Sequence, residues 1–514
     1  KHEQPLLVTF TEKVLITLLT KLSNFIPEAG VWMNTLRPEW NDANNALVGY
    51  GASMVTLCYM RRFVGFLKQL YAGMDASYAL SKEVVVFLRD VLSAFANHDA
   101  LCEGKRLCFN DETRRAFINT VGRAGETYRN AVYTGHSGEK VELSSDLLLQ
   151  FLSEVETYID ESIAVNRRED GLFHAYNLIS FGTQTKTVGI THLYEMLEGQ
   201  VAVLSAGVLT PNEAADLLDA MRRSALYRED QRSYMLYPNR RRPSFLEKNN
   251  LPEDTLALPV VQRLLSDHVT DILVEDCEGG VHFNAGFNNA DFLARAIDAS
   301  SETVSAEERQ QLLDIYERMF NHHAFTGRSG TFYKYEGLGC IYWHMVSKLL
   351  VAIGENIQNA LDTCADAAIV ARLKAHYTAV QEGIGAHKSP AEYGSFPFDA
   401  YSHTPAMMGC QQPGMTGQVK EDIISRFFLL GLHVVDGEIH IQTSMLRPEE
   451  FLNGELRFTY CQTPFIYRLG ETESIEVEMQ DSLHIESLCL SRTLSRHIFS
   501  RDKQIKQVIV TVKL

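Results

Sequence analysis

Apolar residues recur with a helical period from the start of the chain to about Val435, and beyond that point the period is lost. This switch constrains the fold more than any other feature, because one chain must then supply a helical body and a separate β layer. Before the switch, Ala46 to Tyr71 is apolar nearly all round, through Leu47, Val55, Leu57, Met60, Val64 and Leu67, which is the composition of a helix buried on most sides. Glu83 to Phe95, Glu112 to Val132 and Asp146 to Ile163 each carry one apolar face, as outer helices do. Thr210-Pro211-Asn212-Glu213 and Ser305-Ala306-Glu307-Glu308 are capping boxes that mark helix starts. Further helices are predicted over Leu338 to Ile353, Ala367 to Val380 and Thr416 to Leu430.

Nearly all-apolar helices that alternate with amphipathic ones predict an inner ring sheathed by an outer ring, a toroid. No fixed sequence period supports a repeat solenoid instead. After Val435, the runs Glu438 to Thr443, Glu455 to Cys461, Phe465 to Leu469, Ser474 to Met479 and Gln507 to Val512 read as strands broken by Gly, Pro and charged turns. The expected division is a helical domain over residues 1–435 and a C-terminal β-sheet domain over 436–514. Pro and Gly punctuation and a strand-like Asp271 to Val274 predict an irregular insertion near 237–294.

A formal charge of -17, from 48 Lys and Arg against 65 Asp and Glu, leaves no surplus of cations to displace counterions, so nucleic acid is not an expected partner. A small anion is not excluded, since a pocket needs only a few local donors. Nine cysteines without CxxC spacing read as reduced thiols, and no apolar run is long enough to cross a bilayer. A cytoplasmic protein with no membrane partner is therefore expected. No metal is expected either: His322-His323 and His192 with Glu195 lack a third ligand at convincing spacing. Arg240-Arg241-Arg242 reads as a solvated loop.

The densest polar and aromatic stretch is Arg37-Pro38-Glu39-Trp40-Asn41-Asp42-Ala43-Asn44-Asn45, just before the most apolar helix. A Trp offers a flat face to a pyranose ring, Asn offers paired donors and acceptors, and Asp can transfer a proton. The same residues also suit a plain helix N-cap, and local chemistry leaves both readings open. Thr416 and Gly417 open a late helix, where unpaired N–H groups favour an anion and Gly admits close backbone approach; a simple Thr cap is the alternative. His387-Lys388 through Gln411-Gln412 is a polar loop running into that position.

Trp40-Asn41-Asp42-Ala43-Asn44-Asn45-Ala46-Leu47-Val48-Gly49 resembles the signature of the cellobiose and chitobiose phosphorylases, glycoside hydrolase family 94, and their β-glucan phosphorylase relatives. Where those relatives often have Gly-Asp before the Trp, this chain has Pro38-Glu39. Glu195 to Met221, Glu336-Gly337-Leu338-Gly339-Cys340-Ile341-Tyr342-Trp343-His344, and Gly414-Met415-Thr416-Gly417 are similar to further family segments, in the family's order. The resemblance implies an (α/α)6 toroid and Asp42 as general acid. It also implies Trp40 and Arg37 at the sugar, Glu336 on the acceptor side, and phosphate held by His344, Thr416 and Gly417. Phosphate is then a co-substrate, with no cofactor.

The reaction so implied is inverting phosphorolysis of a β-glucoside or β-glucan oligosaccharide. Asp42 protonates the glycosidic oxygen, and phosphate attacks the anomeric carbon from the opposite face to give an α-sugar 1-phosphate. An inverting hydrolase would need a second carboxylate to activate water. Glu336 is the candidate for that alternative, and a non-catalytic carbohydrate-binding fragment is a third reading. The family also carries a β-sandwich and part of its helical ring upstream of the Asp42 loop, with an Arg and an Asp that hold the donor sugar. These are expected on a preceding segment or a partner chain, and a homodimer is expected.

Overall fold

The computed structural model describes residues 7–34, 47–74, 76–96, 108–182, 184–239, 244–300, 304–320, 341–384, 389, 403–404 and 419–513. The fold is mainly helical, with several small sheets and a C-terminal β region. Two compact units are present: one takes residues up to Arg228, Tyr234–Ile341 and Pro405–Met407, the other takes Glu229–Ser233, Tyr342–Thr404 and Met408–Leu514.

In the first unit, helices Phe10–Leu22, Met54–Tyr71, Lys82–Ala96, Asp111–Thr134 and Ser145–Val165 form where apolar residues repeat at three- and four-residue spacing. Phe25, Phe95, Phe117 and Tyr158 build one aromatic centre; Phe95 and Tyr158 meet edge to face at 4.5 Å, and the Tyr158 hydroxyl donates to the Phe95 carbonyl at 2.6 Å. Met54–Tyr71 packs on Ser145–Val165, and Arg61 bridges them through a two-pronged contact to Asp160 at 2.7 and 3.2 Å. This helix is less enclosed than its composition predicts, since Tyr59 and Phe66 are exposed.

It also starts later than predicted. Gly51–Ser53 is a strand, and the Ser53 side chain caps the helix by accepting from the Thr56 N–H. That strand belongs to a five-stranded antiparallel sheet, Phe25–Ile26, Gly30–Trp32, Gly51–Ser53, Tyr176–Gly182, Thr187–His192, in a stretch whose period predicted helices. Buried Arg114 ties the sheet to the Asp111–Thr134 helix. Its guanidinium donates to the Pro27, Val188 and Phe109 carbonyls and to the Asp111 and Glu28 carboxylates.

Residues from Leu251 to Phe320 enclose an apolar core of their own, with Ile272, Phe283, Leu293 and Tyr316 at its centre. The hairpin Leu273–Glu275/Val281–Phe283 turns where Asp276 Oδ1 accepts the N–H groups of Glu278 and Gly280 at 2.8 and 2.7 Å. Both predicted capping boxes form: Thr210 with Glu213, and Ser305 with Glu308.

In the second unit, Trp343–Asp362 packs against Ala367–Gly383 and Val419–Leu430. Gly431 then turns the chain at φ 70° into a three-stranded sheet, Leu432–Val435, Glu438–Ile441, Cys489–Leu490. A five-stranded sheet follows in the order Glu455–Tyr460, Thr463–Leu469, Gln507–Val512, Ser474–Glu478, Leu483–Ile485. Its pair Thr463–Leu469 and Gln507–Val512 is parallel, which requires a crossover, and the chain between them includes the helix Arg492–Ser500. Ser495 on that helix accepts the Ile439 N–H at 2.9 Å and donates to the Leu490 carbonyl at 3.0 Å.

Candidate functional site

Of the residues expected to carry chemistry, His344 is described. Arg37, Trp40, Asp42, Glu336, Thr416 and Gly417 lie outside the described residues, as do His322, His323, Arg240–Arg242 and most of the polar loop 387–412.

His344 is the second residue of the Trp343–Asp362 helix, whose first turn has no side-chain cap. The neighbouring Trp343 is fully buried and pins the helix start in the core. This leaves the positive dipole end of a long helix next to the imidazole. The Tyr342 hydroxyl lies 3.3 Å from His344 Nδ1, and the two rings meet edge to face at 5.7 Å.

Across from it, the Val419–Leu430 helix presents Glu421, whose Oε1 sits 3.4 Å from His344 Nε2. Both side chains are largely buried, at 21% and 7% exposure. That approach is an ion-pair distance without hydrogen-bond geometry. Among the described residues, His344 Nε2, Glu421 Oε2 and Ser425 Oγ are buried atoms without a hydrogen-bond partner. His344 and Glu421 thus bring a largely buried imidazole and a buried carboxylate face to face across two helices.

Burial holds the His344 pKa below the usual imidazole value, and the Lys348 and Lys420 charges push the same way, against the opposing pull of Glu421. The imidazole is therefore neutral near pH 7. The Tyr342 hydroxyl and Nδ1 share a hydrogen bond whose direction depends on the ring tautomer, and the tautomer with its proton on Nε2 can donate to an anion. Burial, and then the Glu421 charge, raise the pKa of the neighbouring Asp422.

A second polar group lies in the first unit. His174 and His192 stack at 4.1 Å, and burial followed by the His192 charge pushes the His174 pKa down to about 4. His192 ends a strand rather than lining a helix face, and its Nδ1 lies 2.7 Å from Asn177 Oδ1. Glu195 pairs instead with Arg168 at 3.4 Å. Sequence reasoning missed Glu421, Tyr342 and Ser425. The i, i+4 spacing of His344 and Lys348, and of Glu421 and Ser425, could have marked one polar stripe on each helix.

The self-contained core between Leu251 and Phe320 lies within a stretch that has known counterparts. Residues 242–323 match GH149 phosphorylase insertion domain 2. The match supports a glycoside phosphorylase, and not glycoside hydrolase family 94 in particular. No curated protein matches the chain. Among the described residues, no helix is long and apolar enough to cross a membrane.

Proposed function

We propose that the protein is an inverting glycoside phosphorylase acting on a β-glucan oligosaccharide or another β-glucoside and releasing an α-sugar 1-phosphate. The observation that carries this reading is the match of residues 242–323 to a phosphorylase insertion domain. On this reading the helices of residues 1–435 form an (α/α)6 toroid that bears the insertion. Asp42 is the proton donor, Trp40 and Arg37 bind the sugar substrate, and Glu336 lines the acceptor side.

Phosphate is both co-substrate and nucleophile, so no second carboxylate is needed to activate water. What the protein must supply is orientation and charge stabilisation. His344 is suited to both, because a neutral ring with its proton on Nε2 donates to an anion, and the helix start, Lys348 and Lys420 add positive potential. Thr416 and Gly417 are assigned to the same phosphate.

Incubating the chain with β-1,2-, β-1,3- and β-1,4-linked glucan oligosaccharides, with and without phosphate, tests the reading. It predicts sugar 1-phosphate only when phosphate is present, and none from Asp42→Asn. Equal cleavage in phosphate-free buffer would make the protein a hydrolase and overturn it.

A further inference from the structure

The sequence spacing offers no metal ligand set, but strand pairing builds one in the second unit. Glu438 and His440 are two residues apart on the strand Glu438–Ile441, so their side chains leave the same face of the sheet. His440 is paired directly with Cys489 of the strand Cys489–Leu490, which puts the thiol on that face as well. The ligand atoms of Glu438, His440 and Cys489 all lie within 4.8 Å of one another, and all three residues are partly buried. Among the described residues this is the one such trio.

The distances within the trio decide what it fits. Cys489 Sγ is 3.6 Å from His440 Nε2 and 3.8 Å from Glu438 Oε2. A tetrahedral zinc ion with bonds of about 2.3 Å to sulfur and about 2.1 Å to nitrogen or oxygen separates its ligand atoms by roughly 3.6 Å. The thiol therefore already stands at close to tetrahedral zinc spacing from both other ligand atoms, and the imidazole and carboxylate lie within 4.8 Å of each other. The carboxylate is held in place from outside, as metal-binding carboxylates usually are. Glu438 Oε1 accepts the Arg492 N–H at 3.0 Å, while the Arg492 guanidinium is occupied with the Asp436 carbonyl at 2.8 Å. That leaves Oε2 turned towards the thiol.

We propose that Glu438, His440 and Cys489 form a binding site for a zinc-class divalent cation, with water as the fourth ligand, that clips together the two strands it bridges. Those strands share a ladder of only two residue pairs, Ile439 with Leu490 and His440 with Cys489. The chain between them contains four of the five strands of the larger sheet. Fastening the short ladder closes that long loop, which is where a cross-link constrains the unfolded chain most. The thiol proton is released to solvent as the cation binds, and no redox change is involved.

The test uses the full chain after chelator treatment and dialysis, titrated with cobalt(II) as an absorbing stand-in for zinc. The proposal expects one equivalent to bind with a thiolate-to-cobalt charge-transfer band that zinc then removes. Cys489→Ser should lose the band, and His440→Ala should bind zinc at least about tenfold more weakly. Zinc should also protect Cys489 from alkylation in the unaltered chain, read by peptide mass, which avoids any dependence on variants folding. No charge-transfer band, an unchanged band in Cys489→Ser, or alkylation of Cys489 indifferent to zinc would each overturn the proposal, leaving only a weak thiol–imidazole hydrogen bond.

Discussion

Gly431 joins the helix that carries Glu421 to the first strand of the β region, and replacing it with Ala should damage that junction severely. Its φ is 70°, and a Cβ added there would lie 1.9 Å from the Gln442 carbonyl oxygen, a backbone atom that no side-chain rotation can move. The same contact region holds the hydrogen bond from the Gln442 N–H to the Gly431 carbonyl at 2.8 Å. The left-handed backbone alone costs an L-residue about 1–2 kcal/mol. Forced displacement of packed neighbours adds about 1–3 kcal/mol, and loss of the hydrogen bond about 1 kcal/mol. A total of roughly 4 kcal/mol is therefore expected for Gly431→Ala.

Gly454 is the internal control, because its φ is 80° but nothing lies within 4 Å of an added Cβ. Gly454→Ala should cost only the backbone share, about 1 kcal/mol. Urea unfolding followed through the fluorescence of Trp343, buried in the same unit, reads both variants. If Gly431→Ala is no more destabilised than Gly454→Ala, the close-approach argument is wrong.

Other consequences can be checked in the same way. Arg114→Met should destabilise the first unit by about 2–4 kcal/mol in thermal or urea unfolding, since it removes the donor from the Pro27, Val188 and Phe109 carbonyls and from the half-buried Glu28 carboxylate; a loss under about 1 kcal/mol would refute the network's importance. His174 has its folded pKa lowered to about 4 from the ordinary 6.5, so the unfolded chain binds the extra proton first. Its contribution is complete above about pH 6.5 and is lost as pH falls towards 4, and His174→Gln should flatten that limb of the stability–pH curve. His344→Ala should raise the phosphate KM at least about tenfold while leaving the oligosaccharide KM nearly unchanged, because one charge-assisted hydrogen bond to phosphate is removed; equal effects on both would count against a phosphate role.

Features set by near neighbours in the chain are readable in the sequence. The capping boxes at Thr210 and Ser305 depend on residues three apart, and both form. Among the strands after Val435, Ser474–Glu478 alternates inward and outward positions, while Gln507–Val512, central in its sheet, reads as an apolar β-branched run with Val508, Ile509 and Val510 all buried. By contrast, Gly51–Ser53 is three residues long and pairs with Tyr176–Gly182, more than a hundred positions away, so no local period reveals it. The helix Arg492–Ser500 lies between the predicted strands Ser474 to Met479 and Gln507 to Val512, inside a domain expected to be all β.

The same distinction applies to the candidate site. His344 is singled out in the sequence by the family resemblance of the segment Glu336 to His344, within a helix predicted from Leu338 that in fact starts at Trp343, while its neighbour Glu421 reaches it from another helix, and only packing brings them together. The polar turn from Arg37 to Asn45 can be recognised from its composition, yet it lies outside the described residues, so its role rests on resemblance and chemistry.

The most direct test of the central claim is phosphorus NMR of the chain mixed with β-glucan oligosaccharides and inorganic phosphate. The proposed reaction predicts growth of an α-sugar 1-phosphate signal that is absent with Asp42→Asn. Free reducing sugar released at the same rate with and without phosphate, and unaffected by Asp42→Asn, would contradict it.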